Sequence, residues 1–299
     1  MTKPIRILLQ TTLLPTDEDD WIIRRFSFLQ DYLASLTDEE GNPLCEVTAR
    51  DREPNGEGDD PILSNLSRDS FDELWLFALD VGGGLSAKDQ EGINRFHEEG
   101  GGILTTRDHQ DMGISMSGMD VGKFHYFQTK QPDPDSSRCC PDDIYTTTIS
   151  WPNYHSGSNG DYQVIKPMKP IHDLLKNPHS PTGVIQYFPA HPHEGAVGVP
   201  PNATNARAIA LGTSKVSKRD FNLVVVDEGT TDETGNAVGR VVAQSTFHHF
   251  VDYNWDTEAG CPGFVEEPPS DGMKKEPQAM NDIKAYVKNV ALWLHPSTR

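Results

Sequence analysis

Short apolar runs separated by long polar stretches set the rhythm of this chain. Ile5 to Gln10 is nearly all apolar and reads as a buried first strand. Between about Trp21 and Leu36, the residues Ile22, Phe26, Leu29 and Leu33 fall at helical spacing, with Asp19 or Asp20 placed to cap the helix. Glu46 to Ala49 reads as a short second strand. Glu73 to Leu79 reads as a strong central one, ended by Asp80-Val81-Gly82-Gly83-Gly84. Ser86 followed by Asp89 has the spacing of a capping box, and the helix it opens runs through Ile93 and Phe96 to about Glu99. Gly100 to Gly102 stop that helix, and Ile103 to Thr106 form the next strand. Strand, helix and strand in this order make a βαβ unit, whose crossover is right-handed in nearly every known case.

Beyond residue 112 the pattern loosens. Gly113 to Pro200 is irregular, and only Ile171 to Leu175 reads as helical. A structureless loop of that length does not suit a compact domain, so the stretch is expected to be an elaborated insertion over the carboxyl edge of the sheet. Order returns with Ala206 to Leu211, Phe221 to Asp227 and Gly239 to Ser245. Thr231 to Asn236, with Gly235-Asn236, has the composition of the turn between the last two and predicts an antiparallel hairpin. Asp51 to Asp60 reads as a polar insertion without core-forming residues, and Asp256 to Pro277 as another polar excursion. A terminal helix carries Ile283, Tyr286, Val287, Val290, Leu292 and Trp293, with Asn281 as its expected cap. No repeat or sharp linker divides residues 1–299, which predicts a single α/β domain with a loop-rich insertion at about 113–200.

Composition narrows the partners. Apolar residues make up 35% of the 299, and the 22 Pro and 25 Gly belong to long loops around a core built from the runs above. A formal net charge of -19 speaks against nucleic acid, which requires a clustered basic face, and against anionic membrane surfaces. A small-molecule ligand is the expected partner. No apolar run reaches the ~20 residues of a membrane helix. Ile5 to Gln10 is broken by Arg6 and Gln10 and does not read as a secretory leader. Cys45, Cys139, Cys140 and Cys261 show no regular framework, which points to a reduced, cytoplasmic setting.

Three polar clusters carry the candidate chemistry. Asp108-His109-Gln110-Asp111 stands immediately past the strand ending at Thr106, where open parallel sheets keep their ligands. Asp108, His109 and Asp111 are candidate catalytic groups, although an aspartate there can equally cap a following helix. His191-Pro192-His193-Glu194 offers His191, His193 and Glu194 as ligands for a divalent metal such as Zn²⁺, or else ordinary surface histidines. His248-His249 follows the strand ending near Ser245. Neighbours on a strand face opposite ways, so one of the pair is expected to serve the site, and His248 is the candidate.

Phe71-Asp72-Glu73-Leu74-Trp75-Leu76, Leu85-Ser86, and the helix into Glu98-Glu99-Gly100-Gly101-Gly102-Ile103-Leu104 resemble the class I glutamine amidotransferase-like superfamily, and within it the trehalose-utilisation (ThuA-like) branch. Gly239 to His249 resembles the late strand and histidine of that branch. The resemblance covers residues 1–112 and 206–295. It implies a flavodoxin-like three-layer sandwich with a mostly parallel central sheet. Glutamine amidotransferases carry a nucleophilic cysteine after the strand, whereas Thr105-Thr106-Arg107-Asp108-His109 contains none, so glutamine hydrolysis is not expected. The expectation is a small-molecule enzyme, either a metal-assisted hydrolase or a carbohydrate-processing enzyme. The alternatives are a non-catalytic ligand-binding or interaction protein that has lost the nucleophile, and a glutaminase with Cys139 or Cys140 displaced into the site. Convergence of the three clusters in one cleft decides among them.

Overall fold

In a computed structural model, residues 3–136, 156–191, 193–231 and 237–295 are described. The strands are β1 (Ile5–Thr11), β2 (Cys45–Arg50), β3 (Glu73–Phe77), β4 (Gly102–Thr106), β5 (Tyr162–Val164), β6 (Lys166–Pro167), β7 (Tyr187–Pro189), β8 (Ala206–Thr213), β9 (Asp220–Asp227), β10 (Thr230–Thr231), β11 (Ala237–Val238) and β12 (Val241–Gln244). The helices are α1 (Ser27–Ser35), α2 (Ala87–Glu98), α3 (Asp252–Trp255), α4 (Gly272–Lys275) and α5 (Pro277–Leu294).

Eight strands form the main sheet in the order β2-β1-β3-β4-β12-β9-β8-β6. The first five are mutually parallel, and this is the flavodoxin-like order. The remaining three add antiparallel pairs at one side. The protein is therefore α/β with a mixed, mostly parallel sheet. Register explains how two cores arise from one sheet. Leu8, Leu74, Ile103 and Val241 stand abreast across four strands, and all four join the core cluster that includes Ile93 and Phe96 of α2. The next row, Leu9, Trp75, Leu104 and Val242, joins the opposite cluster with Leu29 and Leu33 of α1 and Ile283, Tyr286 and Val287 of α5. Side chains alternate faces with period two, so strands covered on both sides are apolar through most of their length, with polar residues at their ends. β3, β4 and β12 are buried throughout.

Local expectations meet several tertiary overrides. The capping box at α2 is present: Ser86 Oγ accepts from Asp89 N at 3.1 Å, and Asp89 Oδ2 accepts from Ser86 N at 3.0 Å. Asp19 and Asp20, in contrast, do not cap α1. A 3-10 turn over Ile23–Phe26 precedes the helix. The N–H groups of Ser27 and Phe28 donate instead to the carboxylate of Asp252, at 3.0 and 2.8 Å. The terminal helix begins at Pro277, with Glu276 accepting from Gln278 N, so Asn281 lies inside it. Proline at the first helical position has no N–H to satisfy, and the cap falls at Glu276, five residues before the expected Asn281. In the insertion, Ile171 to Leu175 supplies only a 3-10 turn at Asp173–Leu175. The described part of the insertion also contributes the edge strand β6 and the β5–β7 pair. β9 and β12 are antiparallel, extended by β10 with β11; Gly235-Asn236 lies outside the described residues, as do Cys139, Cys140 and Pro192. Among the described residues no helix is long and apolar enough to cross a membrane.

Asp51 to Asp60 is the largest departure from expectation, because it carries buried ions. Arg50 pairs with Asp60 at 2.9 Å, and Arg52 with Asp89 at 2.8 Å. Asp60 N donates to Asp89 Oδ1 at 2.8 Å, so Asp89 ties the segment to the start of α2. A buried pair is costly to break because the surviving charge loses its partner. Asp89→Ala is expected to lower the unfolding free energy by about 3–5 kcal/mol in urea titrations. Glu73 poses the opposite case. It is fully buried, Trp75 Nε1 donates to its Oε2 at 2.9 Å, and its Oε1 has no partner among the described residues. Burial pushes this carboxyl well above its ordinary range. A raised carboxyl favours folding below its ordinary value near 4.3 and loses that contribution as pH rises toward the folded value. Glu73→Gln is therefore expected to raise the urea midpoint at pH 7, with the advantage shrinking as pH falls toward 4.

Candidate functional site

The loops after β4 and β12 leave adjacent parallel strands at the same sheet edge, and each brings polar side chains there. Past Thr106 the chain turns on Arg107, whose guanidinium is fully buried. It donates to the carbonyls of Met112 at 3.2 Å, Tyr126 at 2.7 Å and Gln110, and lies 4.5 Å over the Phe127 ring. Burial lowers this guanidinium to about 9, opposed by the charges of Asp108 and Asp111. Gly195 packs against the same turn. A Cβ there would stand 2.6 Å from the Asp108 carbonyl oxygen, and only glycine allows this approach. Its N–H donates to Ser245 O at 2.7 Å, stitching the His191–Gly195 segment to the exit of β12.

His248 and His249 lie on a 3-10 turn over Phe247–His249, not on a strand. Thr246 organises it: its Oγ1 accepts from His248 N at 3.1 Å and donates to Asp108 Oδ1 at 3.0 Å. Trp21 sets its ring edge-on to His248, with centroids 4.8 Å apart. The turn sends the two imidazoles to different partners, His248 toward Asp108 and His249 toward Gln163 and Gln244.

Three distant segments meet here. Asp108, His191 and His248 place ligating atoms within 4.8 Å of one another, and the residues are only 1%, 3% and 3% exposed. His248 Nε2 lies 3.8 Å from Asp108 Oδ2. The His191 and His248 rings stack with centroids 3.3 Å apart at 13°. His193 packs edge-on against both His191 and His109, at 5.3 and 5.2 Å. His109 Nδ1 lies 3.1 Å from Asp108 Oδ2, and the His109 side chain, 20% exposed, faces solvent more than its partner does. Two candidate residues have other engagements. Asp111 Oδ1 accepts from Thr129 N at 3.0 Å. Glu194 Oε1 accepts from Ser156 Oγ at 2.9 Å and Gln163 Nε2 at 3.0 Å, and neither residue belongs to the ligating trio.

The electrostatics follow from burial. Desolvation works against the Asp108 carboxylate, but the His109 hydrogen bond and the imidazoles of His109, His248 and His193 outweigh it and hold it below its ordinary value. Burial, reinforced by neighbouring imidazoles, depresses His191 and His248 well below the usual imidazole range. The result is one carboxylate facing neutral imidazoles, whose lone pairs suit a cation. Two histidines and one carboxylate form a donor set that leaves coordination positions open. His191 Nδ1 lies 2.7 Å from His193 O and 2.9 Å from His193 N, so the backbone of its own loop holds this edge of the ring. Metal–ligand bonds of about 2.1 Å put tetrahedral ligand atoms about 3.4 Å apart, close to the 3.8 Å seen between His248 and Asp108.

No protein-family model matches the chain, and no curated protein matches it in sequence. Among solved structures it is similar to a protein described as ThuA-like from Parabacteroides merdae ATCC 43184, at 12% identity and a TM-score of 0.46, over 99% of this chain and 93% of that one. It is also similar to the mmIFT52 N-terminal domain, at 11% identity and a TM-score of 0.46, over 83% of this chain and 88% of that domain.

Sequence reasoning passed over Arg107, Thr246 and Trp21. The visible signal was a charged residue wedged between an apolar strand and an acidic-histidine cluster. Arg107→Lys keeps the charge but loses the fork that serves several carbonyls. It is expected to cost roughly 1–3 kcal/mol in denaturant unfolding, because buried acceptors are left without donors.

Proposed function

We propose that the protein is a metal-dependent hydrolase acting on a small-molecule substrate, with Asp108, His191 and His248 as its metal ligands. The observation that carries this reading is the meeting of those three buried side chains from three separate segments, with ligating atoms within 4.8 Å. Their placement past the carboxyl ends of β4 and β12 is the position that open α/β sheets reserve for ligands. The amidotransferase-like scaffold belongs to the same proposal, with its chemistry moved from a cysteine to this centre.

The residues divide the work. Asp108 supplies the fixed negative charge, with Thr246 holding one oxygen and His109 the other. A divalent ion such as Zn²⁺, when bound, supplies an acidified water and polarises the scissile group. His109 stands at the exposed side of the cluster, within reach of an incoming substrate, and can accept or deliver a proton. His193 packs between His109 and His191 and keeps their rings in place.

Elemental analysis of protein purified without a histidine tag is expected to find about one divalent metal per chain. His191→Ala and His248→Ala are expected to lose that metal, together with any ester, amide or phosphoester hydrolysis found in a substrate screen, and chelation followed by Zn²⁺ should remove and restore the activity. Metal-free protein, or hydrolysis unaltered in both variants, would end the proposal.

A further inference from the structure

Behind the candidate centre lies a second polar assembly that takes no part in ligation. Glu194 Oε1 is 3.0 Å from Gln163 Nε2, which is 2.6 Å from His249 Nε2. His249 Nδ1 is 2.7 Å from Gln244 Nε2, and Tyr286 Oη donates to Gln244 Oε1 at 2.7 Å. Ser156 Oγ closes the near end, 2.9 Å from both Glu194 Oε1 and the His191 carbonyl. All six residues are buried. Polar groups this deep are costly unless their partners are held in place, so a connected chain fixes the geometry of every element it touches.

The chain touches the two elements that matter. Glu194 shares a loop with His191, and His249 shares a 3-10 turn with His248. Glu194 Oε2 is buried with no partner among the described residues, and burial pushes the carboxyl well above its ordinary range. A neutral imidazole has one N–H and one lone pair, so the two glutamines cannot both offer it an NH₂ group. Turning the Gln163 amide lets its oxygen accept from His249 and from a protonated Glu194, which removes the conflict at the imidazole.

We infer that Glu194 is a positioning residue, and that the Glu194–Gln163–His249 bridge locks the His191 loop to the His248 turn from behind. The inference rests on Asp108, His191 and His248 being the ligands. It assigns Glu194 the supporting shell, where outer partners orient ligand rings.

Zn²⁺ affinity, measured by competition with a chromophoric chelator, tests it on the full chain. Glu194→Ala is expected to weaken binding by about 10–100-fold, the usual effect of losing an outer-shell partner. Glu194→Gln, which retains the hydrogen bonds, should bind close to wild type. Gln163→Ala cuts the bridge without touching the carboxyl. It should weaken binding in the same direction, and it decides the matter if Glu194→Ala does not fold. Glu194→Gln falling as far as His191→Ala would make the carboxylate itself a ligand and overturn the inference, as would unchanged affinity in both alanine variants. A second readout needs no metal: long-range proton–nitrogen correlation spectra should show single tautomers for His191 and His248 in wild type and Glu194→Gln, and mixed or broadened ones in Glu194→Ala. Wild-type protein that binds no Zn²⁺ would sink the proposed hydrolase, and the ring spectra would then decide the bridge alone, with unchanged spectra overturning it.

Discussion

One buried carboxylate organises this edge of the molecule. Asp108 accepts from Thr246 on one oxygen and lies beside His109 and His248 on the other, so the exits of β4 and β12 are held together by a charge removed from water. Burial by itself would push a lone carboxyl in that position upward. Here the hydrogen bond with His109 favours the charged form of Asp108, while burial favours neutral His191 and His248. The cluster therefore holds one negative charge facing lone pairs, an arrangement that a cation completes.

The sheet makes this arrangement affordable. Parallel pairing of β4 with β12 brings both exits to the same edge, and the register that separates the two cores also fixes which side chains leave at that edge. Rigid strands carry the loops, and Arg107 folds its guanidinium back to satisfy carbonyls that the tight turn would leave bare. Gly195 lets the insertion approach the β4 exit at backbone distance. The insertion thus supplies the cluster with His191, a side chain that the sheet alone does not provide.

Local chemistry was legible wherever neighbours in sequence decide structure. The capping box of Ser86 and Asp89, the apolar strands and the antiparallel pairing of β9 with β12 all follow from spacing within one element or one turn. The failures share a different cause. Asp252 caps α1 across 225 residues, and the charges of Asp51 to Asp60 find their partners outside the segment, Asp60 in Arg50 and Arg52 in Asp89. Polar residues in a sequence do not announce whether a countercharge waits elsewhere in the fold.

The same division runs through the site. From the chain alone came the alternation of apolar rows that makes a parallel α/β sheet, the strand-end rule that pointed to residues 108–111 and 248–249, and the metal-ligand residue types that pointed to 191–194, as three separate clusters. Folding alone decided their membership. It brought Asp108, His191 and His248 within 4.8 Å, engaged Asp111 with Thr129, and placed Glu194 in the hydrogen-bonded chain behind them. Periodicity is a property of neighbours and survives in one dimension. Coordination depends on which atoms meet after distant loops close, and that distance is not written in spacing.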